Sequence, residues 1–339
     1  MAEVAVAILN YNGEEHLKTF LPSIISHSKE ASIIIGDNGS TDGSLELLKT
    51  MFPQVEVIQL DSNHGYAGGY NRLIHRIQAE YIVLANSDIE VTEDWLEPLV
   101  QVLDKNQDVA AVQPKILSYT NKHLFEYAGA GGGFMDRFGY PYCRGRIFAS
   151  IEEDNGQYND EINTFWASGA CFITKKSIFE ELGGFDESFF AHMEEIDLNW
   201  RMLKAGYKIK YTGLSKVYHL GGGTLAYNNA QKIYLNFRNG WAMLIKNLSE
   251  HNRFTTFLTR YLLDLFSIIF FLVQFQAANA FAVLRAHFYI LINHRKIKKS
   301  ALKFSTSTKN SSKTGLPNFS LVWQYYIRRK RNFKDLIPD

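Results

Sequence analysis

Apolar runs of strand length alternate with amphipathic helical patterns over the first 85 residues. The runs at 4–9, 33–35, 55–60 and 81–84 are apolar enough for strands covered on both faces. Between them, apolar residues recur at helical spacing, first at Leu17, Phe20, Leu21, Ile24 and Ile25. Strand and helix in alternation predict an α/β fold with a mixed, mainly parallel sheet flanked by helices.

The pattern changes twice farther along the chain. Residues 129–145 (GAGGGFMDRFGYPYCRG) are rich in glycine and aromatic residues and predict a long mobile loop. Residues 254–292 are strongly apolar, and 265–284 contain no charged residue, a length of about 20 that can cross a bilayer. Gln274 and Gln276 interrupt this run. Three readings stay open: an interfacial or re-entrant helical hairpin, a true span, or a buried helix pair.

Charge is distributed unevenly between the body and the tail. From Arg285 onward the chain has 13 Lys/Arg and 2 Asp/Glu, a net charge of +11, whereas the preceding residues have 23 and 33, a net charge of −10. An acidic body argues against nucleic-acid binding, and a basic tail beside an apolar segment favours an anionic membrane surface. We therefore divide the chain into a catalytic domain, 1–240, and a C-terminal helical membrane-associating region, 241–339, apolar and then basic.

Cysteine usage and the N-terminus indicate a cytoplasmic location. Cys143 and Cys171 form neither a disulfide framework nor a CxxC pattern. The first residues lack the basic start of a secretion signal and predict a strand instead. We expect a cytoplasmic protein at the inner face of the cell membrane.

Polar residues follow three of the predicted strands, where ligands bind in an open α/β sheet. They are Asn10, Tyr11 and Asn12 after the first strand, Asp37 after the second, and Asn86 and Asp88 after the fourth. Tyr11 is suited to stacking on a base, and Asp37 to accepting a hydrogen bond from a pyrimidine N–H. Asp88 is suited to a hard divalent cation. The alternatives are a turn residue for Asp37 and a helix cap for Asp88.

A second group of candidates lies downstream. Glu194, Glu195 and Asp197 begin a predicted helix, where acidic residues are favoured, but three acids in four positions exceed what a cap needs. One of them is a candidate general base, and Asp197 is a candidate for orienting a neighbour or binding an acceptor. His219 is a candidate ligand for a metal or a diphosphate, with a purely structural role as the alternative. Arg238 is a candidate phosphate contact.

The sequence resembles the family 2 glycosyltransferases with the GT-A fold, a Rossmann-like nucleotide-diphospho-sugar transferase fold, and especially their bacterial rhamnosyltransferase-like members. The matching stretches cover roughly the first 240 residues in the family's order: AILNYNG, DNGSTDGS, NHGYAGGYNR, LANSDIEV, WASGACFITKKSIFEELGGFDESFF, EEIDLNWRMLKAGY and VYHLGGGT. The resemblance makes Asp37 the base-contacting acid and Asp88 the metal-binding acid of a reduced DxD-like motif. His219 matches a histidine near metal and diphosphate. Gly65, Gly68 and Asn71 fall in a matching donor-site stretch.

The resemblance also places the catalytic base at Glu195, where the family usually has Asp. A shifted backbone, use of Glu194 instead, or lost activity would each account for this departure. The implied reaction is inverting transfer from a UDP- or dTDP-sugar, with Mn²⁺ or Mg²⁺, to a hydroxyl of a glycan acceptor. The acceptor is expected to be polyprenyl-diphosphate-linked, in cell-surface polysaccharide synthesis.

Three other functions stay open. A non-catalytic nucleotide-sugar-binding scaffold at the membrane is the main alternative, and a nucleotide-sugar hydrolase would share the donor site. A nicotinamide oxidoreductase is disfavoured because GxGxxG is absent. Exposed aromatic residues in the C-terminal region are equally suited to a homodimer interface.

Overall fold

The computed structural model describes residues 3–221, 229–249, 253–304 and 316–336. Its N-terminal part is the predicted alternation of strand and helix: β1 (Val4–Asn10), α1 (Glu14–His27), β2 (Ser32–Asp37), α2 (Ser44–Met51), β3 (Glu56–Gln59), α3 (Gly65–Arg76) and β4 (Tyr81–Asn86). β1 pairs in parallel with both β2 and β4, and β2 pairs in parallel with β3. The carboxyl ends of these four strands therefore lie along one edge of the sheet.

The middle of the chain extends the sheet with both antiparallel and parallel pairings. It comprises β5 (Ile89–Val91), α4 (Glu97–Lys105), β6 (Val109–Ser118), β7 (Gly133–Met135), β8 (Pro141–Cys143), β9 (Arg146–Ile147), β10 (Ser150–Ile151), β11 (Glu161–Thr164), β12 (Cys171–Lys175), α5 (Lys176–Glu181), α6 (Glu194–Lys204) and β13 (Lys208–His219). The order in the large sheet is β11-β13-β6-β12-β4-β1-β2-β3, with β5 on β13. β12 runs antiparallel between β4 and β6, and β13 pairs in parallel with β6, so the sheet is mixed.

Two hydrophobic clusters cover the two faces of the large sheet. Alternate residues of β1 point to opposite faces, with Val6 in one cluster and Ala7 in the other. Helices α1, α2 and α4 cover the first face, and α3, α5 and α6 cover the second. This arrangement confirms the α/β fold with flanking helices.

The glycine-rich segment 129–145 is a folded element, which corrects the prediction of a mobile loop. Strands β7 to β10 form a separate antiparallel sheet of four strands. Asp136 is fully buried in this segment and accepts hydrogen bonds from the backbone N–H groups of Phe138, Tyr140 and Leu321. Glycine is needed here for close packing, because a Cβ at Gly133 would lie 2.3 Å from the ring of Trp166.

The C-terminal part is helical: α7 (Ala230–Asn247), α8 (Arg253–Val273), α9 (Ala277–Lys303), a short π-helical turn (Trp323–Ile327) and α10 (Phe333–Leu336). The proposed boundary at residue 240 falls inside α7, which continues without a break. Phe333 packs against Phe134 and Tyr142 of the small sheet, so the end of the chain returns to the body.

Candidate functional site

Asn10 and Asp37 are neighbours at the carboxyl ends of β1 and β2. They are paired in register and both are buried, and Asn10 Nδ2 donates to Asp37 Oδ1 over 3.3 Å. Asp37 Oδ2 accepts from the backbone N–H of Ser40 over 3.1 Å. Asp37 therefore closes the turn after β2, as one alternative held, and also lies at the ligand-binding edge of the sheet.

The loop after β1 is fastened to the loop after β2. Asn12 has a positive φ of 50°, its N–H donates to Ser40 Oγ, and its Oδ1 accepts from the N–H of Thr41 over 2.7 Å. Tyr11 is 43% exposed, which leaves its ring accessible for stacking on a base. These two loops form one wall of the candidate site.

Asp88 and His219 meet at the next strand ends. β13 pairs antiparallel with β5, which brings Ile89 opposite His219, and both side chains of the Asp88–His219 pair are buried. Asp88 Oδ1 lies 3.1 Å from His219 Nε2, and Asn86 Nδ2 lies 3.3 Å from the same nitrogen. Among the described residues the first helix after Asp88 begins at Glu97, so Asp88 does not cap a helix.

Glu126 completes this group and has no counterpart in the sequence predictions. Its Oε2 lies 3.4 Å from Nδ1 of His219, on the side of the imidazole opposite Asp88. Burial lowers the pKa of His219, but the carboxylates of Asp88 and Glu126 outweigh burial and raise that pKa to about 10. The only sequence signal for Glu126 is a lone acidic residue among aromatic neighbours, in the stretch LFEYAG.

The Asp88–His219 pair brings a carboxylate and an imidazole, two groups that bind divalent cations, within 3.1 Å of each other. In the described residues no group of three or more His, Cys, Asp or Glu side chains is arranged as a complete cage. A cation that takes only one or two protein ligands and shares the rest with phosphate and water fits this arrangement. A cation held there would displace the proton of His219.

Glu194 and Glu195 begin α6 beside the same edge of the sheet. The backbone N–H of Asn86 donates to the carbonyl of Ala170, which connects the end of β4 to the segment before β12. Gly169, the residue before Ala170, lies close to Glu195: a Cβ placed on Gly169 would be 3.7 Å from the Cβ of Glu195. One carboxylate oxygen of each glutamate is buried without a hydrogen-bond partner.

Burial raises the pKa of both glutamates. The pKa of Glu195 rises to about 7, although neighbouring backbone N–H groups oppose the rise. Burial and the charge of Glu195 raise the pKa of Glu194 well above its ordinary value. A carboxylate whose pKa lies near 7 has the properties of a general base.

The loop before α6 is strained and is held in place by α7. Phe190, His192 and Met193 all have positive φ values, between 65° and 72°. Asn239 Nδ2 donates to the carbonyls of Phe189, Ala191 and His192 at 2.7–3.1 Å. Strain at this point sets the position of the two glutamates that follow.

Arg238, next to Asn239 on α7, helps to hold the same loop. Its Nη2 donates to the carbonyls of Ser188 and Phe189, and its Nε donates to Asn239. The structure thus gives Arg238 a positioning role, whereas its contact with a phosphate stays a prediction.

Asp197 is fully buried, and both of its oxygens are engaged. Oδ2 is 3.0 Å from Arg201 Nε and 2.9 Å from Lys246 Nζ, and Oδ1 accepts from Asn247 over 2.7 Å. Of the roles considered for Asp197, this placement favours orienting α6 over binding an acceptor.

The glycines and the asparagine of α3 face the segment that leads to α6. A Cβ at Gly65, which has a φ of 70°, would lie 2.6 Å from Phe190, and Gly68 lies near Glu187. Asn71 exchanges hydrogen bonds with both the N–H and the carbonyl of Phe185. These residues position the strained loop, and direct donor contact by them stays a prediction.

A family profile described as Glycosyl transferase family 2 matches residues 5–183, more than half of the chain. The chain belongs to glycosyl transferase family 2. The profile ends before α6, so it contains Asp37 and Asp88 but neither Glu195 nor His219. The resemblance inferred from the sequence motifs is confirmed.

Relatives with assigned activities match most of the chain. The N-acetylglucosaminyl-diphospho-decaprenol L-rhamnosyltransferase of Mycobacterium tuberculosis is 26% identical over 231 residues, which cover 63% of this chain and 75% of the relative. The low-salt glycan biosynthesis hexosyltransferase Agl10 of Haloferax volcanii is 25% identical, over 70% of this chain and 74% of the relative.

Two solved structures share the fold. The mannosyltransferase PcManGT from Pyrobaculum calidifontis, in complex with GDP-Man and Mn²⁺, has a TM-score of 0.52 and 14% identity over 89% of this chain and 85% of that chain. GalNAc-T7 with UDP, GalNAc and Mn²⁺ has a TM-score of 0.55 and 16% identity over 72% of this chain and 48% of that chain. The GT-A fold is confirmed, and the chain is a family 2 glycosyltransferase with that fold.

Proposed function

We propose that this glycosyltransferase transfers a sugar from a UDP- or dTDP-sugar to a hydroxyl of a polyprenyl-diphosphate-linked glycan, with inversion at the anomeric carbon. The observation that carries the proposal is the meeting of three groups at one edge of the sheet. These are the loops around Asp37, the Asp88–His219 pair, and the two glutamates, Glu194 and Glu195, at the start of α6. The names of the rhamnosyltransferase and hexosyltransferase relatives support transfer within glycan synthesis, the first of them onto a lipid diphosphate.

The proposed reaction is a single displacement. Glu195 accepts the proton of the acceptor hydroxyl, and the hydroxyl oxygen forms a bond to the anomeric carbon. The bond from that carbon to the diphosphate oxygen breaks, and the electron pair leaves with the nucleoside diphosphate. Attack from the face opposite the leaving group inverts the configuration. A pKa near 7 suits Glu195 to this task, and the unpartnered oxygen supplies the acceptor for the proton.

Asp88 and His219 would hold a divalent cation, Mn²⁺ or Mg²⁺, which neutralises charge on a departing diphosphate. Glu126 fixes the orientation of His219 from behind. Both structural neighbours contain Mn²⁺ with their nucleotide or nucleotide sugar, which supports this assignment. Asp37 and Tyr11 are proposed to recognise the base.

The basic C-terminal region would keep the enzyme at the cytoplasmic face of the membrane, where a polyprenyl-linked acceptor is anchored. The relative from Mycobacterium tuberculosis, whose name specifies a decaprenol-linked acceptor, supports this location.

The deciding experiment is calorimetric titration of a panel of nucleotide sugars with and without Mn²⁺. We expect one UDP- or dTDP-sugar to bind in a metal-dependent manner, and Asp88→Ala to abolish the metal dependence. Asp108→Ala is the matched control, because Asp108 precedes β6 at the opposite edge of the sheet and is half-exposed. If no nucleotide sugar binds under any condition, the proposal is wrong.

Turnover then separates an enzyme from a scaffold. With the bound donor and a lipid-linked acceptor, product anomers analysed by NMR should show inversion. Glu195→Gln should slow transfer about 10²- to 10⁴-fold without affecting donor binding. Donor binding that persists without any turnover in the wild-type protein would favour the non-catalytic scaffold instead.

A further inference from the structure

The exposed apolar side chains of this protein are concentrated on one helical hairpin. Helices α8 and α9 run antiparallel and are joined at Gln274–Gln276. Between Phe254 and Ile292, 16 large apolar side chains are exposed, compared with 6 in residues 3–221. We call these 16 exposed side chains the hairpin face; in the part of α8 nearer the tip they include Phe266, Ile269, Phe270, Val273 and Phe275. A surface of this kind indicates a partner.

The shape of the hairpin face favours a fluid partner over a rigid one. Only a narrow stripe of α8 is buried, formed by Thr256, Arg260, Asp264 and Ile268 at a spacing of four residues. The exposed residues recur in neighbouring pairs, such as Leu265 with Phe266 and Ile269 with Phe270, so they form a broad apolar face opposite the buried stripe. Lipid chains can cover a broad convex face of this kind along its whole length.

Charge follows the same surface along α9. Exposed apolar residues occupy this helix as far as Ile292, and beyond the exposed His294 comes a cluster of four exposed basic residues, followed near the end of the helix by the exposed Leu302. The cluster comprises Arg295, Lys296, Lys298 and Lys299. Because α8 and α9 are antiparallel, this basic cluster lies level with the start of α8 at Arg253. Lys and Arg side chains near an anionic membrane surface are attracted to its headgroups. A second copy of the chain carries the same basic cluster and offers no acidic surface to match it.

Packing against α7 decides the orientation of the hairpin. Ala282 and Ala286 of α9 are buried against Tyr234 and Leu235 of α7, and Arg285 stacks on the ring of Tyr234 at 3.7 Å. Helix α7 also carries Lys232, Arg238 and Lys246, which have no place in the hydrocarbon of a bilayer. If the hairpin crossed the membrane, α7 would be drawn in with it.

A polar network fastens the middle of α8 to the body. Buried Asp264 accepts from Tyr140 Oη, Trp241 Nε1 and Arg260 Nε at 2.6–2.9 Å. Arg260 also donates to the carbonyls of Phe138 and Gly139. The hairpin is thus held along the body and does not project away from it.

We propose that the hairpin face inserts into the interface of an anionic lipid bilayer, with α8 and α9 parallel to the membrane plane and the basic cluster of α9 on the headgroups. This resolves the three readings of the apolar segment in favour of an interfacial hairpin, although α8 alone, at 21 residues, has the length and composition of a span. The inference rests on the proposed membrane location and is independent of the catalytic roles.

Flotation of the full chain with phosphatidylcholine vesicles, with and without phosphatidylglycerol, tests the proposal. We expect binding to the anionic vesicles and at least tenfold weaker binding to phosphatidylcholine alone. Phe266→Asp with Phe270→Asp should weaken binding to the anionic vesicles at least about tenfold, because each ring loses its apolar burial. Leu214→Asp is the matched control and should bind as wild type, since Leu214 is 75% exposed and Phe266 73%.

Two further measurements distinguish the outcomes. The affinity for the donor, measured by calorimetry, should be the same for the wild type and the Phe266/Phe270 variant. This comparison distinguishes loss of membrane binding from loss of donor binding. In the Phe266→Trp variant, bromine atoms high on the acyl chain should quench the fluorescence of the introduced indole more than bromine atoms at the bilayer centre. Washing with alkaline carbonate should release the protein from the vesicles. Resistance to carbonate, unchanged flotation of the Asp variant, or a lipid-independent dimer that this variant dissociates would each overturn the proposal.

Discussion

Glu195 is the residue whose ionisation should control the rate. Burial raises its pKa to about 7, so the fraction in the basic, ionised form falls as the pH drops below that value. We predict that kcat/KM rises about tenfold per pH unit up to about pH 7 and then levels off. Glu195→Gln should lower kcat about 10²- to 10⁴-fold and remove this acid limb from the residual activity.

A pH profile of wild type and Glu195→Gln measures this directly. Glu187→Gln is the control, because Glu187 precedes the same helix but is half-exposed and pairs with Arg72. If the rate of the Glu195→Gln variant still falls at acid pH as it does in the wild type, Glu194 is the base instead.

Glu126 should act through His219. Its carboxylate lies against Nδ1 while Nε2 faces Asp88, which is how a carboxylate orients a metal-binding imidazole. We predict that Glu126→Ala weakens Mn²⁺-dependent donor binding about 10- to 100-fold, with little change in donor affinity measured without metal. Calorimetry measures the donor affinity with and without Mn²⁺. An equal loss of affinity in the two conditions would show that Glu126 has only a structural role.

At this scale the sequence identified the residues that follow predicted strands, because strand ends can be read from the apolar pattern. Asn10, Asp37 and Asp88 were found in this way and lie at the predicted edge. Glu126 was missed, because its contact with His219 joins residues 93 positions apart and leaves no local signal.

At the scale of elements, α6 is positioned by α7. Lys246 binds both Asp186 and Asp197 over 2.9 Å, with all three side chains buried. We predict that Asp197→Ala lowers the free energy of unfolding by about 3–5 kcal/mol, because it leaves Lys246 and Arg201 without their shared carboxylate.

Urea unfolding provides the measurement, and Asp108→Ala provides the control. Asp108 also pairs with a lysine, Lys208, but both side chains are about half exposed, so its removal should cost at most about 0.5 kcal/mol. Equal losses of unfolding free energy in Asp197→Ala and Asp108→Ala would show that the buried ion pairs of Asp197 do not contribute more to stability than an exposed pair.

The elements themselves were predictable to different degrees. Helix α1 and strands β1 to β4 followed from local periodicity, since each buries one clear set of apolar residues. The small sheet of β7 to β10 was missed because its strands are two or three residues long and rich in glycine. Such strands become stable only through contacts with distant residues, including Trp166 and Leu321.

At the scale of the whole molecule, the C-terminal helices belong to the same folded body as the catalytic part. Leu244 packs on Gly139, and Trp241, Ile290, Leu321 and Phe333 share one hydrophobic cluster with residues of the small sheet. We predict that a chain shortened to residues 1–240 loses cooperative unfolding and aggregates, because it cuts α7 and exposes this cluster.

Circular dichroism during thermal unfolding of the shortened and full chains checks this prediction. A soluble 1–240 fragment that unfolds cooperatively and binds the donor would instead support two independent domains.

The sequence by itself determined the alternation of strand and helix, the family, the acids at the strand ends and the apolar C-terminal segment. All of these are written in local patterns of burial and turn chemistry. Tertiary structure decided what depends on distant contacts: the strained loop held by Asn239 before Glu194, the engagement of both Asp197 oxygens, and the support of His219 by Glu126. It also decided the position of the hairpin, because the sequence of a helix that is apolar on several sides does not indicate which side another helix covers.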